Sequence, residues 1–567
     1  MRYSVGLITV IVGIGFVSGA THGQKIFPGA VGFGTESRGA YASGEDPTIL
    51  IVDTLYAGIK QTGTNRGSFE WALRERYPRI IVFEVGGVID YAETSTRSVS
   101  VRHSYCNVYG QTAPTPGITL RSAALYIGGQ AHDLLFQHIA VRYGDELLPN
   151  GEAYIADCVS AFAGTYNLVL DHCSFSWGTD EVIGIYSENF TLSNCLLYDA
   201  LEYNHHVNER GEHEPERHGF GGIISSPGRI TMVNNFWGWF TLRYPKMSTD
   251  DVVYVNNYAT GYALWGVDFE GNESGDNDAA FVGNSFYPTG GMTHRYAERF
   301  IHWRGQLNTK STIYLHDNNC LGKNKGRSEF ENILTKMPEE DMRAIYTDDP
   351  KSNVIDISEY RIMPASDVLN DLKANAGFRP WDRDYYDSLA LARLDDESHR
   401  YINSTKAWPA RAYNRSIYEG LKTDAGNMKN GYDFASNPVS FAVNGTRVEL
   451  DESAASQQDV LDILNRQLPE GIVAIDHPHP LCHHIIIQTE DAGADQSIAI
   501  SGDASVFGIP EGTFTGDDAP YEDVTFASNE RQLDLPVNPH DDDDGNGYTN
   551  IEEWATSFVR SQSNNAN

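Results

Sequence analysis

Between residues 134 and 286 the chain repeats one short pattern: alternating apolar residues, a polar doublet, then apolar residues again. The copies are LLFQHIAV (134–141), LVLDHCSF (168–175), FTLSNCLL (190–197), ITMVNNFW (230–237), VVYVNNYA (252–259) and, more weakly, AAFVGNSF (279–286). Alternation is the period of a strand with one buried face. The doublet's second residue falls at His138, His172, Asn194, Asn234, Asn256 and Gly283, at intervals of 34, 22, 40, 22 and 27 residues. A floor of 22 with variable excess is what a coil of short strands gives when turns of fixed size carry insertions on one side. A single coil cannot bury its apolar face, so coils stack about 4.8 Å apart and align like residues into ladders. The pattern therefore predicts an all-β fold, a parallel β-helix, with the His and Asn rungs as a hydrogen-bonded turn ladder. Cys173 and Cys195 take the same place on neighbouring coils, which suits two buried thiols, the favoured state, or one disulfide.

Outside that span the pattern changes. Residues 1–23 read as a secretory signal peptide: Arg2, an apolar run from Gly6 to Val17, then Ser18-Gly19-Ala20. Residues 24–330 are assigned to the β-helix and 331–435 to a helix- and loop-rich extension packed along it. Helices are expected in SEFENILTKM and in ASDVLNDLKANAG, the latter from Ser366 to Gly377. Residues 436–530 form a small α+β module. VSFAVNGTRVEL is a hairpin turning on Asn-Gly, SQQDVLDILNRQL is a helix, and IVAID and HHIIIQT are strands. The module resembles the β-α-β insertion of flagellins, which implies no activity. Residues 531–567 are a tail.

Charge narrows the partners. With 42 basic and 77 acidic residues the net charge is −35, which argues against nucleic acid, whose binding rests on neutralising phosphates. An acidic polysaccharide would be repelled too, unless a cation or a local basic patch intervenes. The leading apolar run is too short to span a membrane and nothing later replaces it, so a secreted, soluble monomer with no membrane partner is expected. Six cysteines in 567 residues are too few for a disulfide scaffold.

The candidate chemistry gathers where coils end. Asp180 and Glu181 close the stretch NLVLDHCSFSWGTDEV, and Asp157 lies in IADCVSAF one coil earlier. FPGAVGFG (27–34), PRIIVFEVGGVID (78–90), VYGQTAPTPGITL (108–120), DHCSFSWGTDEV (171–182), HGFGGII (218–224) and RYPK (243–246), in this order, resemble the pectate lyases of polysaccharide lyase family 1; GFRPWDRDYYDSL (377–389) looks like a tail that many of them carry. The resemblance implies a right-handed parallel β-helix and cleavage of a uronic-acid polymer by β-elimination. A base takes the C5 proton and the C4 glycosidic oxygen departs, with calcium stabilising charge on the carboxylate. By motif position it makes Asp157 and Asp180 calcium ligands and Arg243 the base. Lys246, His218 and Glu181 become contacts to an acidic polysaccharide substrate, and Arg142 becomes either such a contact or, the safer reading, an ion-paired arginine. The sequence departs from the family at Gly184, where a third calcium ligand belongs, and at Ser248, where a second arginine belongs; Glu181 and Lys246 are the available replacements.

Several histidines and aromatics have blander readings. His205, His206, His213 and His218 sit in or beside a charged insertion, 203–218, expected to wall a groove, and lack regular metal-ligand spacing. His477, His479, Cys482, His483 and His484 read as solvated or packed rather than as zinc ligands. Tyr262, Trp265 and Trp303 beside Arg304 suit packing better than sugar stacking. The tail carries a sharper signal. Asp542, Asp544, Asn546, Asn550 and Glu553 stand at positions 1, 3, 5, 9 and 12 of a twelve-residue EF-hand-like calcium loop, with Gly547 at 6 and the Tyr548 carbonyl at 7. Beside the lyase stand three alternatives: a polysaccharide-binding β-helix without catalysis, a lyase acting on ulvan or alginate, and a glycoside hydrolase using paired carboxylates.

Overall fold

In the computed structural model residues 24–563 are described apart from 203–217, 263–264, 271–276, 288–298, 305–310, 321–327, 396–400, 413–431, 477–484, 505–506, 508, 520 and 522–526. The histidines at 205, 206, 213, 477, 479, 483 and 484, and Cys482, lie outside the described residues.

Three long sheets of thirteen, ten and nine strands run side by side, and the chain visits them in turn, one strand per sheet per coil. One coil comprises Tyr166–Asp171 in the first sheet, Ser174–Ser176 in the second and Glu181–Ile185 in the third. Successive coils pair in parallel and in register, so Leu134, Leu168, Phe190, Ile230, Val252, Ala279 and Ile313 form one continuous buried row. This is the parallel β-helix that the repeat predicts.

The polar doublet marks the bend between the first and second sheets. His138, His172, Asn194, Asn234, Asn256, Gly283 and Asp317 all adopt left-handed backbone, with φ between 49° and 65°. Asn, Asp, His and Gly tolerate that region and β-branched residues do not, which explains the residue types at this rung. The rungs bond as expected: Asn234 Nδ2 donates to Asn194 Oδ1 and Asn256 Nδ2 to Asn234 Oδ1, each at 3.2 Å, while the His138 and His172 rings stack at 4.8 Å. One residue further in, Asn235, Asn257, Asn284 and Asn318 make a second, deeper amide ladder at 2.8–3.2 Å. Cys173 and Cys195 are free buried thiols, with Cys195 Sγ accepting the Cys173 amide at 3.3 Å.

The β-helix extends beyond the recognisable repeats on both sides, and past residue 330 at its C-terminal end. Thr48–Thr54, Arg79–Phe83 and Cys106–Tyr109 belong to the first sheet ahead of the recognisable repeats. After residue 330, Ile333–Thr335 joins the third sheet and Tyr346–Thr347 the first. The helix expected in SEFENILTKM is thus a single 3-10 turn, Glu329–Asn332, followed by a strand, because an open sheet edge offers Ile333–Thr335 backbone partners. Val368–Asn375 is helical as expected. Strand Arg411–Ala412 pairs with Ile485–Thr489, so the small module, with its own apolar core, begins before residue 436.

Two outer faces of the β-helix are covered. The N-terminal segment around Ile26, Ala30 and Ala40 and the C-terminal helix Asn550–Ser563 pack on Ile80, Val82, Leu135 and Val169 of the first sheet. Helices Val368–Asn375 and Tyr385–Ala392 pack on Leu196, Tyr198, Phe236 and Trp239 of the second sheet and its flanking corner. The third sheet instead turns a polar row outward: Ser160, Gly184, Ile223, Lys246, Asp268 and His302 follow one another in register. The candidate chemistry lies on this face. Among the described residues no helix is long and apolar enough to cross a membrane.

Candidate active site

The insertions explain why the acids converge. Most excess length falls between a second-sheet strand and a third-sheet strand, as in 143–158 and 199–219; a shorter insertion, 270–277, falls between the third and first sheets. Each such segment ends just before a third-sheet strand. Asp157, Asp180, His218 and Arg243 are the residues delivered there, on successive coils. Register places Glu181 opposite Phe220, with Asp157 on the coil before and Arg243 on the coil after.

Asp157 is held from two sides. Ser160 Oγ donates to its Oδ2 at 2.8 Å and the Glu181 amide to its Oδ1 at 3.0 Å. Burial, then the neighbouring Asp180 carboxylate, raises its pKa to about 7. Gly184 is what makes room for it, since a Cβ there would lie 2.2 Å from Asp157 Oδ2. The glycine at 184 and the position of Asp157 are therefore one fact: the Asp157 carboxylate occupies the space that a side chain at 184 would need.

The other groups pair across coils. His218 Nε2 lies 2.6 Å from Asp180 Oδ1, and the imidazole packs on Phe220 with centroids 4.1 Å apart. Arg243 has left-handed backbone, φ 65°, and its guanidinium passes over the Phe220 ring at 4.3 Å to pair with the buried Glu181. Burial lowers the Arg243 pKa from its usual value, and Arg304 adds to this, although Asp180, Asp268 and Asp157 pull the other way. Asp180, Glu181 and His218 present ligand atoms within 4.8 Å of one another. Further along the same face Lys246 pairs with Glu270 at 3.2 Å, and Asp268 with Arg304 at 2.8 Å and His302 at 3.1 Å.

Six of the sequence-predicted residues lie on one face, Asp157, Asp180, Glu181, His218 and Arg243 in a cluster with Lys246 beside it, and Gly184 lies beneath them. Arg142 does not join them. It projects from the outer face of the second sheet, 1% exposed, under helix Tyr385–Ala392, where it bonds Ser176, Tyr198, Asp384 and Asp387. A side chain enclosed on that face cannot contact a substrate lying on the third sheet. Tyr262 and Trp303 are interior, as expected of packing residues, whereas Trp265 lies against Arg304. Phe220, Glu270 and Asp268 were not predicted. Phe220 was signalled only by its place in HGFGGII, and the two acids only by their register with Lys246 and its neighbours.

The twelve-residue loop of the tail lies elsewhere, against the N-terminal segment. Asp542 accepts the amides of Gly545, Asn546 and Gly547 at 2.8–3.1 Å, Glu553 Oε1 meets Asn546 Nδ2 at 2.6 Å, and Arg38 pairs with Glu552 at 3.0 Å.

The chain is similar to probable pectate lyases C of filamentous fungi. It is 30% identical to that of Aspergillus terreus over 267 residues, 46% of this chain and 54% of the relative. To that of Aspergillus oryzae it is 28% identical over 293 residues, 50% of this chain and 59% of the relative. The chain thus spans little more than half the length of these relatives. No family model matches. Among solved structures, the major allergen of cedar pollen superposes with a TM-score of 0.42 at 14% identity, covering 61% of this chain and 92% of that one.

Proposed function

We propose that the protein is a secreted polysaccharide lyase that cleaves a uronic-acid polymer, of the polygalacturonate type, by calcium-assisted β-elimination. The observation that carries this reading is the meeting of Asp157, Asp180, Glu181, His218 and Arg243 on the third-sheet face, from four successive coils. Similarity to probable pectate lyases supports it.

The donor set fits calcium. Its oxygens are hard carboxylates, and burial, with the Asp180 carboxylate beside it, raises the Asp157 pKa to about 7, which marks a site that a cation would relieve. Asp157 and Asp180 would hold the ion, with Glu181 the nearest further carboxylate. Bound there, calcium would neutralise the substrate carboxylate and favour charge developing on it during proton removal. The protein's own groups do the rest. Arg243, partly desolvated above Phe220, faces the position of a C5 proton once its pairing with Glu181 yields to substrate. Lys246 grips a neighbouring carboxylate in exchange for Glu270. His218, already on Asp180, holds a proton that can be returned to the departing C4 oxygen. The loop 542–553 is a second, structural calcium site.

A β-helix that binds polysaccharide without cleaving it is the second reading, favoured by the Arg243–Glu181 pair, which keeps the guanidinium protonated. Incubation with polygalacturonate, alginate and ulvan, with calcium or a chelator, separates the two. Ultraviolet absorbance of unsaturated product is expected on polygalacturonate with calcium. No rise on any polymer refutes the lyase, and a rise that survives Arg243→Ala refutes the proposed base.

A further inference from the structure

The third-sheet face continues past the carboxylates toward earlier coils, and its character changes there. Tyr126 stands in the outward row two strands before Gly184, in register through Ser160, roughly 10 Å along the stack. Phe162 and Tyr186 each follow the last residue of a third-sheet strand; the Tyr186 amide donates to the Ala161 carbonyl at 2.7 Å, so the two rings leave the same corner of adjacent coils. Phe162 is 46% exposed, Tyr154 39% and Tyr186 37%.

The aromatic group is built rather than incidental. The Tyr126 and Phe162 rings meet edge to face at 5.5 Å and 74°. The Tyr143 hydroxyl donates to the Tyr154 carbonyl at 2.7 Å, which fixes the segment carrying that ring. Gly128, on the preceding coil, lets Phe162 lie close, because a Cβ there would stand 3.3 Å from Phe162 Cδ2. The carboxylates of Asp157 and Asp180 reach this group, helping burial to raise the Tyr126 and Tyr186 phenols. Isolated exposed aromatics are ordinary, but several in one patch beside a carboxylate cluster mark a binding surface.

The chemistry of the shelf selects its occupant. Aromatic faces are electron-rich and attract the polarised C–H bonds of a pyranose ring. None of the four side chains is cationic, so the shelf offers a free uronate carboxylate no counter-charge. We propose that Tyr126, Phe162 and Tyr186, with Tyr154 at the rim, form a sugar-binding subsite for a ring without a free carboxylate, a methyl-esterified uronate or a neutral hexose. That ring belongs to the same polymer whose charged unit lies at the carboxylates; the inference rests on the polysaccharide reading of that site. The enzyme then favours partly esterified chains, with the free uronate at the acids and an uncharged ring on the shelf.

Affinity electrophoresis of the full chain through gels containing either methyl-esterified pectin or polygalacturonate tests this. Phe162→Ala and Tyr186→Ala should each weaken retardation by esterified pectin about tenfold, the factor carried by about 1.4 kcal/mol of stacking. Retardation by polygalacturonate should change little, and Phe162→Trp should bind as the wild type does. Unchanged retardation in both alanine variants, a loss confined to polygalacturonate, or a wild type retarded by neither polymer overturns the subsite. Product absorbance on the same proteins separates the two ideas. Cleavage with unaltered retardation in the variants overturns the subsite and leaves the lyase standing. Retardation that depends on Phe162, in a protein that cleaves neither polymer, supports the subsite and refutes the lyase.

Discussion

Replacing Arg142 by methionine separates a structural arginine from a substrate-binding one. The guanidinium is enclosed between the second sheet and helix Tyr385–Ala392, donating to Ser176 Oγ at 3.0 Å, to Asp384 at 2.7 Å and to Asp387 at 3.0 Å, and to the Tyr198 hydroxyl. Methionine keeps most of the volume and removes the charge. Asp387, fully buried, then keeps only Ser174 at 2.7 Å and Tyr198 at 2.8 Å as hydroxyl partners, and Asp384 keeps the helix-capping bond from the Asp387 amide at 2.8 Å. A buried carboxylate pair that loses the cation hydrogen-bonded to it, with Arg383 left as the neighbouring charge, costs about 3–5 kcal/mol. With about 2.1 cal/mol/K per residue at the midpoint and a cooperative unit of roughly 300 residues, that is a fall of about 5–8 °C in Tm. Thermal unfolding followed by circular dichroism reads it. Adding Asp387→Asn should recover part of the loss, since the amide can stay buried without a counter-ion. Below the transition KM for polygalacturonate should match the wild type, because the substrate face is the other side of the coil. A raised KM with an unchanged Tm would refute the assignment of Arg142 to the buried contact between the second sheet and helix Tyr385–Ala392.

Gly184→Ala forces the Asp157 carboxylate aside by steric overlap; a stability loss of about 1–3 kcal/mol and weakened calcium binding by titration calorimetry are expected, and full calcium affinity would show that Asp157 is not a ligand. The folded-state pKa of Asp157 is raised, so the folded protein binds more protons than the unfolded chain between about pH 4 and 7. Metal-free protein should therefore lose stability as pH rises through that window. Asp157→Asn should flatten this slope in thermal scans, and calcium should offset it in the wild type. Glu553→Gln should weaken calcium binding at the tail loop and lower the calcium-dependent gain in Tm while leaving polymer cleavage intact; an unchanged calcium stoichiometry would exclude that loop as a site.

The sequence carried the architecture wherever a local residue type was obligatory. Left-handed bends demand Asn, Asp, His or Gly, so the doublets announced six coils by themselves. The earlier coils stayed hidden because their bends use other means, such as the 3-10 turn Gly110–Thr112. SEFENILTKM shows the opposite failure. Its capping box, Ser328 with Glu331, is real, yet the edge of the third sheet claims the residues that follow. The site was readable through motif positions that share a corner of the coil. Arg142 was legible as an ion-paired arginine, but its partners were not, because a strand sequence does not say which of its faces another segment will cover, and Asp384 and Asp387 lie more than 240 residues away. The aromatic shelf escaped because Tyr126 lies within a strand while Phe162 and Tyr186 follow strand ends, and only the register of the coils brings them to one side.

The single-residue bend has a consequence for how such a groove can change. Because the coils from His138 to Asp317 each turn on one left-handed residue, with amides locking Asn194, Asn234 and Asn256 together, the pitch of the stack is fixed there, and the groove behaves as a rule with graduations about 4.8 Å apart. Moving two binding groups closer by a fraction of that interval is not open to this scaffold. Specificity can shift only in whole steps, by exchanging the side chain at a graduation, by lengthening a corner segment over it, or by adding a complete coil of at least 22 residues.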